Sequence, residues 1–238
     1  LLHAGAGNVA VEAGGDIRDN GGQITVSANG FASQNNMVNI VADTVSLSAG
    51  GDIGDPGAGT SGTRSFNPIT VRANGVAAQG DNIAIYGKPN LTIGSVDAVE
   101  VTRVTPDDVD QTATSPALSG IRAGTGDVNL MADISVIDGN GGDTDITAGT
   151  LTVSAGHIIG SGGGQNTIDP LEIQLNGGHG PYDIWVNNVA GSPDKMVYAF
   201  FNTVGGNSSP VAAAAKGSGA LIFVNGQYVG GDPTFVQL

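Results

Sequence analysis

Three observations predict an all-β chain wound as a single-stranded parallel β-helix. Apolar residues come in short bursts of strict alternation, dominated by Val and Ile, which is the pattern of strands that bury one face. The gaps between bursts are filled by Gly, Asn, Asp and Ser, residues that supply positive φ and side-chain-to-backbone turns; Gly alone is 40 of 238 residues. One phrase also recurs, as Val9-Ala-Val-Glu-Ala-Gly-Gly-Asp-Ile17, Val45-Ser-Leu-Ser-Ala-Gly-Gly-Asp-Ile53 and Leu151-Thr-Val-Ser-Ala-Gly-His-Ile-Ile159. A repeated short strand with a glycine corner is the signature of a solenoid, whose turns bury their apolar faces by stacking on one another. A sandwich of antiparallel hairpins would show regular two-residue turns and bulky inward aromatics, and aromatics make up only 5% of this chain.

In chain order the bursts are Val9/Val11, Ile24/Val26, Val38/Ile40, Val45/Leu47, Ile69/Val71, Ile83/Ile85, Leu91/Ile93, Val128/Leu130, Ile134/Val136, Leu151/Val153 and Leu171/Ile173/Leu175. Each is expected to form one strand of a rung. After the Val45 and Leu151 copies the wording recovers in similar form, as Asn67-Pro-Ile-Thr-Val71 and Asp169-Pro-Leu-Glu-Ile173. The stretches between, 55–66 and 161–168, read as insertions on one corner. Pro68 and Pro170 stand at strand starts, where a missing ladder donor costs least. Rungs are expected over residues 1–175, stacked about 4.8 Å apart into a rod of about 40 Å. Residues 94–120 break the rhythm: Val96, Val99, Val101 and Val104 lead into Pro106-Asp-Asp-Val-Asp110, a strand followed by an acidic, Pro-flanked excursion.

From residue 176 the composition changes. Eight of the eleven aromatics lie here: Tyr182, Trp185, Tyr198, Phe200, Phe201, Phe223, Tyr228 and Phe235. Ser209 as N-cap, Pro210 at the first helical position, an alanine run, Lys216 and Gly217 predict a short helix. Ala220 to Val229, with Asn225-Gly226 at its centre, predicts a β-hairpin. A solenoid must cover its end strand or pair it, so residues 176–238 are expected to cap the rod or to dock it onto a second copy through those eight aromatics.

The strand-Ala-Gly-Gly-Asp-Ile phrase and its Asn/Asp-Pro-Leu/Ile echo, over residues 1–175, resemble the repeat region of filamentous-haemagglutinin-like exoproteins, the secreted partners of bacterial two-partner secretion. The resemblance implies a right-handed parallel β-helix, the hand also favoured by the chirality of parallel crossovers. It further implies export to the surface or surroundings of a Gram-negative bacterium and an adhesive or biofilm-matrix role. The secretion domain of that family is not recognisable in this chain, and Leu1-Leu2-His3 reads as the start of a processed product or a fragment.

The residue types limit the chemistry. A net charge of −14 with three Lys and five Arg leaves no basic surface for nucleic acid or anionic lipid, and no apolar run is long enough to span a membrane as a helix. With no Cys, disulfides and thiolate metal sites are excluded. Asp107, Asp108 and Asp110 form the densest acidic cluster, and Asp143-Thr-Asp145 follows a Gly-rich turn; both are Ca²⁺ candidates against the plainer reading of solvated corners. His3, His157 and His179 lack metal spacing, no Ser sits in a Gly-x-Ser-x-Gly elbow, and no Gly-rich run opens a helix. The sequence therefore points away from an enzyme and from any required cofactor. It points to a secreted structural or adhesive protein whose partner is itself, joined head to tail. The alternative is a carbohydrate-binding or polysaccharide-degrading β-helix that uses the Asp107–Asp110 loop with Tyr182 and Trp185 as sugar platforms.

Overall fold

Strands with one apolar face need a second sheet opposite, and the chain builds two. The structure is a computed structural model. It describes residues 1–20, 37–55, 57, 66–102, 110–156, 159–160, 171–174 and 176 with their side chains, and the remaining strands by backbone pairing. The first sheet has eight parallel strands: Leu2–His3, Ile40–Val41, Ile69–Arg72, Ile83–Gly87, Asp127–Ala132, Thr150–Ala155, Tyr182–Val186 and Val211–Ala215. The second begins with Val9–Ala13, Thr44–Ala49 and Gly75–Gln79 and then divides into two tracks. One track is Leu91–Val96, Ser135–Gly139, Ile158–Ile159; the other is Ile121–Arg122, Ile146–Ala148, Leu171–Asn176. Met196–Val204 pairs with the last strand of both tracks, and Ala220–Val224 follows it. The chain passes back and forth between the sheets, so its parallel neighbours are separated by at least one strand in sequence. The fold is all-β with parallel sheets, and no helix lies among the described residues.

Between the sheets the aliphatic residues stack in columns. Ile17, Ile53, Ile83, Val128 and Leu151 form one column, and Ile69, Ile85, Leu130 and Val153 another. In the second sheet Val11, Leu47, Ala78, Ile121, Ile146 and Ile173 follow each other in register. These residues belong to one continuous core, apart from Val11 and Ile17, which pack half-buried at its first turn. Each buried Val, Leu or Ile contributes about 1.5–3 kcal/mol by leaving water.

Close approach and hydrogen bonding shape the Gly-Gly-Asp-Ile corner where it stacks on a preceding turn, whereas Gly14 and Gly15 of the first copy face open space. Turns approach so closely that a Cβ at Gly50 would lie 2.5 Å from the Gly14 carbonyl oxygen, and one at Gly149 would run into that of Thr125. The acidic position forms a ladder. The Asp52 N–H donates to Asp16 Oδ1 (2.9 Å), Asn82 Nδ2 donates to Asp52 Oδ1 (2.8 Å), and the Asp127 N–H donates to Asn82 Oδ1 (2.8 Å). Thr150 Oγ1 donates to the Asp127 carboxylate. At the first turn Arg18 caps this ladder by pairing with Asp16 (2.8 Å) and Asp52 (3.4 Å).

Several expectations are corrected. The Val9 and Val45 copies do stack directly, Val9 on Val45 and Ile17 on Ile53, but the Leu151 copy lies in the opposite sheet. Both sheets face the same core with the same alternation, so the phrase specifies a strand and a corner without specifying the sheet. Ile24–Ser27 is not a rung: it joins Gly30–Ala32, Gly59–Thr60 and Thr63–Phe66 in a separate antiparallel sheet built from two successive insertions. Alternation alone does not distinguish the two settings. Residues 94–120 contain an antiparallel hairpin, Glu100–Val104 against Asp110–Thr114, where a strand and an irregular excursion were expected. Val211–Ala215 is a strand paired with Tyr182–Val186 and not the expected helix. All five of its residues lie in register with the preceding strand, a tertiary setting that the local capping signals could not anticipate. Parallel pairing also continues past residue 175, while Ala220–Val224 and Gln227–Tyr228 pair as a hairpin across Asn225 and Gly226.

Candidate functional site

The second sheet divides where insertions leave it, and the division gathers acidic side chains. Asp138, Asp145 and Glu172 place carboxylate oxygens within 4.8 Å of one another. Asp138 ends up inside because of strand phase: Val136 is buried, and the residue two further on faces the same way, in register with Ile93 of the preceding turn. Asp145 immediately precedes Ile146–Ala148, and Glu172 is the second residue of Leu171–Asn176. The two are stitched together: the Asp145 N–H donates to the Glu172 carbonyl oxygen (2.8 Å), and the Glu172 N–H donates to Asp145 Oδ2 (2.9 Å). Asp138 is 5% exposed and Asp145 0%.

Two further side chains complete the group. The Asn140 N–H donates to Asp138 Oδ1 (2.9 Å). Its side-chain amide, oriented by the acceptors around it, donates to Asp138 Oδ1 (2.8 Å) and to Asp145 Oδ1. Arg122, from the preceding turn, donates through Nη2 to the Thr144 carbonyl oxygen (2.5 Å), while its Nη1 is buried without a hydrogen-bond partner.

Three carboxylates this close in a water-poor site cannot all ionise. Burial, reinforced by Asp138 and Glu172 and opposed by the Glu172 N–H, pushes Asp145 up to about 9. At neutral pH Asp145 is therefore a neutral acid. Burial also draws the Arg122 guanidinium below its usual range, against the pull of Asp145 and Asp143. The arrangement can store a proton between stacked turns. Asp138, Asp145 and Glu172 are also the residues whose oxygens could ligate a hard cation such as Ca²⁺.

Of the residues singled out by sequence, Asp145 is brought into this cluster, whereas Asp143 is exposed and Asp110 stands exposed at the start of the hairpin's second strand. Asp107, Asp108, His157, His179 and Phe235 lie outside the described residues. The other aromatics are placed by their strands: Tyr182 and Trp185 in the first sheet, Tyr198, Phe200 and Phe201 in Met196–Val204, Phe223 and Tyr228 in the last hairpin. Phe201 continues the Ile173 column by register, and Phe200, Phe223 and Tyr228 follow one another across three strands. Asp138, Asn140, Glu172 and Arg122 were missed. The available signal was Asp138 itself, a carboxylate in the inward phase of Ser135–Gly139.

Clefts lie on the surface formed by the described residues. One, about 480 Å³, runs between the first turn (Leu2, Val9, Glu12) and the hairpin (Val101, Ala113, Ser115). Another, about 710 Å³, is lined by Gln79, Asp81, Ser119, Arg122 and Thr125. Comparison with protein-family models, with characterised proteins and with solved structures finds no match.

Proposed function

We propose that this chain is a secreted structural or adhesive segment whose turns wind as a right-handed parallel β-helix and whose copies join head to tail into an extracellular fibre or surface matrix. The observation that carries the reading is the in-register parallel stacking of successive turns in two sheets. Leu2–His3 and Val9–Ala13 stand at the outer limits of those sheets. A sheet edge is a template for another strand, and a head-to-tail contact that does not close on itself builds a filament. Residues 176–238, with their eight aromatics, supply the opposite end of the joint. Function on this reading resides in the assembled surface, and no catalytic constellation or cofactor is required. The resemblance to filamentous-haemagglutinin-like repeats supports export to the cell surface, with glycans as secondary partners.

Negative-stain electron microscopy of the purified chain, with and without residues 176–238, tests this. Long fibres that vanish on truncation are expected. Uniform single particles in both samples would refute assembly and favour the carbohydrate-binding alternative, to be pursued by glycan-array binding.

A further inference from the structure

Asparagine followed by glycine is the pair whose side chain most readily cyclises, because glycine has no Cβ to keep its backbone nitrogen from the asparagine Cγ. Two such pairs are described with their side chains, Asn74–Gly75 and Asn140–Gly141, and their settings differ. Gly75 opens the strand Gly75–Gln79 and is buried, and its N–H donates to the Asp43 carbonyl oxygen (3.3 Å). Asn74 donates to Asp43 twice more, from its N–H to the carbonyl oxygen (2.8 Å) and from Nδ2 to Oδ1 (2.8 Å). Both reacting groups are thus locked in a hydrogen-bonded corner. Gly141 instead lies in the turn beyond Ser135–Gly139. It is exposed, its φ is +65°, and a Cβ built on it would meet nothing within 4 Å.

We propose that Asn140 is a site of spontaneous covalent modification, cyclising onto the backbone nitrogen of Gly141 and opening to aspartate or isoaspartate. The Gly141 N–Asn140 Cγ bond forms, the Cγ–Nδ2 bond breaks, and Nδ2 leaves as ammonia with the proton from the attacking nitrogen. Water then adds across one imide C–N bond. Opening at Cγ leaves aspartate; opening at the main-chain carbonyl leaves isoaspartate. No electrons are exchanged, and water is the one co-reactant. Asp145, a neutral acid at neutral pH, accepts a hydrogen bond from the departing nitrogen and can relay the proton, giving its own to Nδ2 and taking up the one the attacking nitrogen loses. The product replaces an amide that donates to Asp138 and Asp145 with a further carboxylate beside Asp138, Asp145 and Glu172. Like charge is thereby added where the second sheet divides, and the modified chain is less stable than the original.

The test is peptide mapping by mass spectrometry of the full chain held at mildly alkaline pH, folded and in urea. In urea both pairs are expected to react at similar rates. In the folded chain Asn140 is expected to convert an order of magnitude faster than Asn74, with isoaspartate among the products. Asn140 as inert as Asn74 in the folded chain would overturn the proposal, because it would mean that Asp138 and Asp145 immobilise the amide. The variant Asn140→Asp installs one product directly. Its thermal midpoint at neutral pH is expected to fall below that of the original chain, and an unchanged midpoint would refute the stated consequence.

Discussion

Asp145→Asn should make this protein more stable, and only above acidic pH. In the unfolded chain the carboxyl ionises near 3.8; buried beside Asp138 and Glu172 it does so near 9. Between those values the folded state holds a proton that the unfolded state has released, so resistance to unfolding falls as pH rises through the window and is level outside it. At about 1.36 kcal/mol per pH unit, the roughly three units from the unfolded value to pH 7 set a ceiling of about 4 kcal/mol. Coupling to the neighbouring Asp138 and Glu172 side chains brings the expected effect to about 2 kcal/mol at pH 7. Asparagine preserves the volume and the acceptor for the Glu172 N–H, and replaces Oδ1 with a donor, so that the Asn140 amide keeps its bond to Asp138 alone. The assay is urea unfolding followed by far-ultraviolet circular dichroism at pH 4, 7 and 9. The variant should match the original chain at pH 4 and exceed it increasingly at pH 7 and 9. Equal destabilisation at all three values would refute the reasoning, since it would show that Asp145 is ionised in the folded chain and held by a cation or ion pair.

The remaining predictions concern packing, corners and metal. Leu47→Ala, at a fully buried position in the Val11–Ile173 column, should cost about 2–5 kcal/mol in urea unfolding. Gly149→Ala should lower the thermal midpoint sharply because its Cβ meets the Thr125 carbonyl oxygen, while Gly142→Ala, with nothing within 4 Å, should leave it nearly unchanged. Arg18→Ala should not shift the midpoint measurably, because its partners Asp16 and Asp52 keep their backbone and Asn82 hydrogen bonds. Millimolar Ca²⁺ at neutral pH should not raise the midpoint, because Asp145 is neutral there and Arg122 already offsets part of the remaining charge. A Ca²⁺-dependent rise that Asp145→Asn abolishes would show that a cation displaces the proton.

The fold was legible where local pattern and tertiary setting agree. Val9, Val11 and Ile17 share spacing with Val45, Leu47 and Ile53, and the two copies lie in register because the same alternation and the same glycine corner suit adjacent turns. Leu151 carries the same phrase into the other sheet, since a core filled from both sides asks the same alternation of each. Ile24/Val26 failed for a related reason: an antiparallel strand uses the same period of two as a rung. Ser209 to Gly217 bears sound helix signals, yet the Val211–Ala215 backbone is claimed by a strand edge assembled from residues far earlier in the chain. The acidic cluster was legible only in part. Asp145 was singled out for its neighbours Gly142 and Asp143, whereas its partners are Asp138 of the same turn and Glu172 of the next. Only the stacking of turns brings those together, and the sequence separation between turns varies with every insertion.

Diffraction from oriented fibres of the full chain tests the central claim of head-to-tail assembly most directly. If copies join by continuing the parallel ladders, the spacing of about 4.8 Å between adjacent strands must lie along the fibre axis. A meridional reflection at that spacing is the predicted result. The same reflection on the equator, or particles that never lengthen beyond single rods, would contradict the account.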